Sequence, residues 1–169
     1  TPLLLLRAHR EYGFVALHAL WSDSDVYRHR LGRPPTREEA LSRLLRYAGH
    51  WALLGFGYWA VEDRLTAGFL GEMGFADFRR DIAPSLDGTP ELGWALTTSS
   101  HGKGYATEAL MAINDWGDHN LTGARTACII SPTNTASIRV AEKIGYREAA
   151  RTIYKSEPAI LYCRPLNSR

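Results

Sequence analysis

The feature that most constrains this chain is a short glycine-containing loop between a strand pattern and a helix pattern. The loop follows the apolar run Glu91–Leu96 and precedes residues 104–120, where small and apolar side chains recur at helical spacing. Gly102 and Gly104 let the backbone approach a bound group closely. The unpaired amides of the first helical turn and the positive end of the helix dipole then favour an anion. We therefore predict an anion site here, of a kind that suits pyrophosphate.

Spacing argues against two familiar phosphate-binding loops. A dinucleotide fingerprint needs a third glycine or alanine where Thr107 stands, and a Walker loop needs a glycine where Thr97 stands. Neither NAD nor ATP is favoured on this basis. On the two glycines alone, a tight turn with no ligand remains an alternative.

The rest of the chain reads as alternating strands and helices around this junction. Predicted strands are Leu3–Leu6, Tyr58–Glu62, Ala67–Phe75, Glu91–Leu96, Ala124–Ser131, Tyr146–Tyr154 and Ala159–Pro165. Predicted helices are Glu11–Trp21, one opened by the capping box Thr36/Glu39, one over Gly104–Asn120, and one from Asn134 to Gly145. We expect an α+β (mixed α/β) fold with about seven strands and four helices. The 169 residues suit a single domain, 1–169, at about 150 residues per domain.

Composition excludes several classes of protein. Twenty Lys and Arg against eighteen Asp and Glu give a net charge of +2, which is far from the basic footprint of nucleic-acid binding. The apolar stretch 51–61 is interrupted by two glycines and is shorter than the ~20 residues of a membrane span. Cys128 and Cys163 lie in strand-like runs, which predicts buried thiols, no metal site and a cytoplasmic protein.

Three segments together resemble the GNAT superfamily of acetyl-CoA-dependent N-acetyltransferases, and in particular its Rim-type ribosomal-protein N-terminal branch. These segments are Glu91–Leu96, Gly102–Ala109 and Asn134–Tyr146. In the family's loop, Gly102 and Gly104 match, whereas Ser99 stands where Gln or Arg is usual. The resemblance implies a GNAT-like fold with acetyl-CoA as cosubstrate.

The resemblance also implies where acetyl-CoA binds. The pantetheine amides would pair with the backbone of one strand end like an added strand, and a splay beside that strand would admit the cofactor. The pairing residues are Trp94, Ala95, Leu96 and Thr97. Contacts near the pyrophosphate would come from His101, Gly102, Lys103, Gly104, Tyr105 and Ala106, and Asn134 would contact the cofactor near the pantetheine. Solvation at a helix start remains an alternative for Lys103, as does plain helix capping for Asn134.

Two residues are candidates for the chemistry. Ser137 matches the Rim-type serine expected to hydrogen-bond the sulfur, whereas Ala141 stands where many GNAT enzymes carry a tyrosine acid. Glu91, on the strand leading to the cofactor, is the candidate general base through a water. The alternative for Glu91 is a turn carboxylate, and the alternative for Ser137 is plain helix packing.

The acceptor is expected to be a primary amine. An α-amine with a pKa near 8 is about one-tenth neutral at pH 7, whereas a lysine amine is neutral in fewer than about one in a thousand molecules. Acids between residues 62 and 91 could attract a cationic acceptor or lie on a solvated loop. Alternatives are a small-molecule amine, a noncatalytic acyl-CoA-binding module and a nucleotide-binding regulator. We expect a monomer or a homodimer.

Overall fold

A computed structural model describes residues 1–28 and 32–167. Its strands are β1 Leu4–Arg7, β2 Tyr58–Asp63, β3 Phe69–Ala76, β4 Glu91–Leu96, β5 Arg125–Ile130, β6 Arg147–Tyr154 and β7 Glu157–Pro165. Its helices are α1 Phe14–Ser22, α2 Ser24–Tyr27, α3 Arg37–Leu54, α4 Tyr105–Asn120 and α5 Thr135–Lys143. Short 3-10 turns lie at Glu11–Gly13 and Thr98–Ser100. The prediction of an α+β fold with seven strands is confirmed.

The seven strands form one mixed sheet in the order β1-β2-β3-β4-β5-β7-β6. β4 and β5 run parallel, with Glu91 in register with Ala127. The neighbouring pairs β1–β2, β2–β3, β5–β7 and β6–β7 are antiparallel. The backbone N–H of Ala127 donates to the carbonyl of Pro90 at 3.0 Å, so β5 meets β4 where β4 begins.

The described residues form five helices where about four were predicted, and α2 is the additional one. It has four residues, too few to show helical periodicity in the sequence. Asp23 caps its N-terminus, because the Asp23 side chain accepts from the backbone N–H of Asp25 at 2.9 Å. The predicted capping box of α3 is confirmed, because Thr36 Oγ1 accepts from Glu39 N–H and the Glu39 carboxylate accepts from Thr36 N–H.

Residues 1–74 and 94–109 form one compact unit. Its core includes Leu4, Leu17, Tyr47, Val61 and Met73, each at most 1% exposed. The Tyr47 ring stacks on Tyr58 with centroids 4.5 Å apart. This burial of apolar side chains from β1, α1, α3, β2 and β3 provides the main driving force for folding of the unit.

Residues 75–93 and 110–169 form a second compact unit. Phe75, Leu92, Leu110 and Leu161 are at most 1% exposed there. Gly117 of α4 packs on Phe75 so closely that a Cβ at this position would lie 2.9 Å from the ring. A glycine therefore lets α4 pack on this ring. The single domain expected from chain length stays a prediction.

Two further expectations concern the membrane and the cysteines. Within residues 1–28 and 32–167, no helix has both the length and the apolar character that crossing a membrane requires. Cys128 is buried and Cys163 is half-buried, and both are thiols. Burial raises the pKa of the Cys163 thiol, which disfavours the reactive thiolate.

Candidate functional site

The connection between β4 and α4 has a defined conformation. As β4 ends, the Thr97 backbone N–H donates to the Leu70 carbonyl at 2.8 Å. The Thr97 and Ser100 hydroxyls lie 2.7 Å apart, and Ser100 is buried. These contacts fix the chain through the 3-10 turn before it reaches the two glycines.

Gly102 and Gly104 both have left-handed backbone conformations, with φ of +75° and +82°. A Cβ at either position would meet nothing within 4 Å, so the backbone angle rather than lack of space favours glycine. α4 begins directly afterwards at Tyr105. The first-turn amides of an α-helix have no partner within the helix. A helix N-terminus thus directly follows the two glycines, and the anion site itself stays a prediction.

His101 contacts the end of β4, and Lys103 acts on a carboxylate through its charge. His101 Nε2 lies 3.1 Å from the carbonyl oxygen of Leu96, which brings the ring against the end of β4. The backbone N–H groups of Thr66 and Leu65 lower the pKa of Asp63, and the charge of Lys103 lowers it further. Lys103 therefore supplies a positive charge next to the glycines, and this charge also interacts with the carboxylate of Asp63.

The predicted pantetheine strand is held closely by β3. A Cβ at Gly71 would lie 2.2 Å from the carbonyl oxygen of Ala95 and 2.8 Å from the Cα of Leu96. Ala95 and Leu96 are buried, whereas Trp94 and Thr97 are half-buried. The backbone of β3 at Gly71 therefore lies directly against the backbone at the end of β4.

Glu91 is placed at the beginning of β4 and is 4% exposed. Both of its carboxylate oxygens accept from Arg80, Oε2 from Nε at 2.6 Å and Oε1 from Nη2 at 2.8 Å. Arg80 Nη1 also donates to the Tyr154 hydroxyl at 3.0 Å. Burial alone would lower the pKa of Arg80, but the hydrogen bonds and charges of Glu91 and Tyr154 raise it above its ordinary value. Sequence reasoning selected Glu91 and missed Arg80.

Asn134 and Ser137 lie at the beginning of α5. Asn134 Oδ1 accepts from the Ser137 backbone N–H at 3.1 Å, so the capping role of Asn134 is present. Ser137 is half-buried, and Ala141 one turn later is completely buried. The position at which many GNAT enzymes carry a tyrosine is therefore a core-packing position in this protein.

Most acids between residues 62 and 91 already have partners within their own unit. Glu62 pairs with Arg7, Asp63 accepts from the Leu65 and Thr66 amides, Glu72 accepts from Trp21 and Tyr47, Asp77 pairs with Arg79, and Glu91 pairs with Arg80. Asp81 and Asp87 are exposed. The five carboxylates that have partners are engaged in local structure, so their positions do not favour an acidic surface for a cationic acceptor.

Comparison with known proteins agrees with this geometry. The family model for the acetyltransferase (GNAT) domain matches residues 4–147. The uncharacterised protein YkkB of Bacillus subtilis is 36% identical over 111 residues, which cover 65% of this chain and 62% of that protein. The match thus spans less than two thirds of that relative.

Two solved structures share the fold. A protein assigned to the GnaT acetyltransferase family, from Bordetella pertussis, superposes with a TM-score of 0.87 at 27% identity, covering 97% of this chain and 96% of that one. RimL, a ribosomal L7/L12 alpha-N-protein acetyltransferase in complex with coenzyme A, superposes with a TM-score of 0.81 at 17% identity, covering 100% and 97%. The GNAT-like fold predicted from the sequence is confirmed. Because the family model covers most of its length, this chain belongs to the GNAT acetyltransferase domain family.

Proposed function

We propose that this chain transfers an acetyl group from acetyl-CoA to a primary amine by direct attack in a ternary complex. The observation that carries the proposal is the junction of β4 and α4, where two left-handed glycines precede the amides of a helix N-terminus in a member of the GNAT family. RimL, which shares the fold, was solved with coenzyme A, and this supports the same cosubstrate here.

The proposed cofactor contacts divide by chemistry. The amides from Gly102 to Ala106 bind the pyrophosphate, and Lys103 adds a positive charge. The backbone of Trp94–Thr97 pairs with the pantetheine amides as an added strand. His101 and Asn134 provide further polar contacts. The backing of β4 by β3 supports this assignment, because a rigid strand loses little entropy on binding.

In the proposed reaction, the neutral amine nitrogen attacks the thioester carbonyl carbon. The C–N bond forms, the C–S bond breaks, and the proton that the amine loses balances the proton taken up by the thiolate, so the products are the amide and CoA thiol. As the general base, Glu91 accepts a hydrogen bond from the amine through a water and takes up the proton that the amine loses. The Ser137 hydroxyl donates to the sulfur, since the buried Ala141 provides no acid.

The favoured acceptor is the α-amine of a protein N-terminus, as in the Rim-type branch. Such an amine is about one-tenth neutral at pH 7 and therefore needs only a weak base. Three carboxylates between residues 62 and 91 are paired with arginines, which leaves fewer acids to attract a second positive charge and supports a singly charged acceptor over a polyamine or an aminoglycoside. A small-molecule amine is the alternative acceptor. We place the reaction in the cytoplasm and expect a monomer or homodimer.

A second candidate function is a noncatalytic acyl-CoA-binding module. The buried Ala141 favours it, because the acid that many GNAT enzymes use is absent. Turnover distinguishes the two functions, since the binding module would be stabilised by acetyl-CoA without releasing CoA thiol.

The first experiment is thermal unfolding with acetyl-CoA, CoA, ATP and NAD in parallel. A ligand at about one hundred times its Kd adds ~2.7 kcal/mol of stability, and we expect this only with acetyl-CoA and CoA. Release of CoA thiol is then followed with a peptide bearing a blocked α-amine and one lysine, the same peptide with its α-amine unblocked, and spermidine. Stabilisation by ATP or NAD instead of CoA would refute the proposal. Stabilisation by acetyl-CoA without release on any amine would favour the binding module.

A further inference from the structure

Arg80 joins two parts of the second unit that are far apart in sequence. It lies in the segment between β3 and β4, eleven residues before Glu91 and seventy-four before Tyr154. Its guanidinium touches both of those side chains. The side chain of Arg80 is 17% exposed and that of Glu91 is 5% exposed, so water screens their pairing only weakly.

The contact with Arg80 fixes the orientation of the Glu91 carboxylate and also compensates its charge. Nε and Nη2 donate in parallel to the two oxygens of Glu91, which holds the carboxylate plane in the plane of the guanidinium. The third donor, Nη1, contacts the Tyr154 hydroxyl. The guanidinium carbon lies 4.6 Å from the centre of the Phe78 ring and 5.0 Å from that of Tyr154. Hydrogen bonds therefore hold the guanidinium of Arg80 through its nitrogens, and two aromatic rings lie close to it.

Stability alone does not account for such an arrangement. Buried ion pairs often stabilise a fold no better than apolar side chains of similar volume would. A lysine could neutralise Glu91 as well, but it is a point charge and cannot fix the carboxylate plane. A bidentate contact is most useful when the carboxylate must also accept another hydrogen bond from a fixed direction, because it sets where the remaining lone pairs point.

We propose that Arg80 is a positioning residue for acetyl transfer, which orients the Glu91 carboxylate at the beginning of β4 and ties it to Tyr154 at the end of β6. This inference rests on the proposed function, in which Glu91 accepts a hydrogen bond from the amine through a water. Arg80 itself touches no reactant. It acts by keeping Glu91 in one orientation, so its loss lowers the rate of the bound complex more than it weakens binding.

The test compares Arg80→Lys with Arg79→Lys as a matched control. Arg79 is the neighbouring arginine, its side chain is 76% exposed, and it pairs with Asp77. Glu91→Gln and the double variant Arg80→Lys/Glu91→Gln complete the set. For each protein we would measure the Tm, the Kd for acetyl-CoA by calorimetry, and kcat and KM for the best acceptor by CoA-thiol release.

We expect Arg80→Lys to have a lower Tm than wild type, because lysine cannot form the bidentate contact with Glu91 together with the contact with Tyr154. Its Kd for acetyl-CoA, measured well below the Tm, should stay close to wild type. We expect its kcat to fall by about ten- to a hundredfold with little change in the acceptor KM, as misplacement of a reacting group does. The double variant should be no slower than Glu91→Gln, because both substitutions remove the same function. Arg79→Lys should resemble wild type throughout.

Three results would overturn the inference. The first is an Arg80→Lys enzyme with the kcat of Arg79→Lys, since charge alone would then suffice. The second is a double variant whose loss multiplies the two single losses, because Arg80 would then act apart from Glu91. The third is full kcat in Glu91→Gln. A wild-type protein that releases no CoA with any amine would instead refute the proposed function itself, and this inference with it.

Discussion

His9 should make the stability of this protein depend on pH. The side chain is half-buried, and its Nε2 is buried without a hydrogen-bond partner within the part of the chain that the structure describes. Its ring centroid lies 5.1 Å from that of Tyr47. Burial, followed by the charge of Arg7, lowers the pKa of His9 from 6.5 to about 4, although a hydrogen bond with the Trp59 backbone acts in the opposite direction.

The sign and size of the effect follow from proton linkage. Between pH 6.5 and 4 the unfolded chain binds a proton at His9 more readily than the folded chain does. The stabilisation is therefore complete above pH 6.5 and is lost as the pH falls towards 4. The full difference corresponds to roughly 3 kcal/mol, of which about 2 kcal/mol is lost by pH 5.

Urea unfolding of wild type and His9→Gln at pH 7.5 and pH 5 measures this contribution. Carboxyl groups with a lowered pKa, such as Asp118, contribute to both proteins and cancel in the comparison. We expect the free energy of unfolding of wild type to fall by about 2 kcal/mol more than that of the variant. Equal losses in the two proteins would show that His9 is not held neutral by the fold.

Three further substitutions test the site and the core. Gly104→Asp should abolish the stabilisation of ~2.7 kcal/mol that excess acetyl-CoA gives in thermal unfolding. The control Gly88→Asp, at another left-handed glycine with equal space, should retain it. Equal shifts in the two variants would contradict the loop assignment. Ser137→Ala should lower kcat about tenfold at unchanged Kd for acetyl-CoA, and a full rate would assign Ser137 to helix packing alone. Arg43→Ala should lower the free energy of unfolding in urea by about 1–3 kcal/mol, because the half-buried guanidinium donates to the hydroxyl of the buried Tyr47 and lies over the Trp21 ring. A loss under about 0.5 kcal/mol would contradict that.

The junction of β4 and α4 was predictable because its signals are local. The predicted strand Glu91–Leu96 has the bounds that the structure shows, and α4 begins one residue after the predicted start. Apolar periodicity and glycine positions depend on a few adjacent residues, so one sequence suffices to read them. Glu72 shows the limit of that pattern. β3 is buried on both faces around it, so a charged residue in this strand looks exposed from the sequence but is not.

The partners of the candidate catalytic residue could not be predicted in this way. Arg80 reaches Glu91 through an irregular segment, and Tyr154 comes from a strand much later in the chain. Sequence gives the charges of such residues but not which of them meet, because pairing depends on tertiary packing. The candidate base could therefore be selected from the sequence, whereas the cation that orients it required the structure.

The cap of α5 uses one half of an amide group and leaves the other half for the contact with acetyl-CoA that we propose. Asn134 uses its carbonyl oxygen to hold the Ser137 backbone, and its Nδ2 group, which can only donate, remains for other contacts. Aspartate and serine are good caps too, but aspartate has no donor, and a serine hydroxyl that caps has only a single proton to give. In the proposed complex, asparagine therefore caps α5 and keeps two N–H donors for acetyl-CoA, whereas a serine would keep one and an aspartate none. Replacement by aspartate keeps the helix start and removes the donor, which separates capping from the proposed contact in one change.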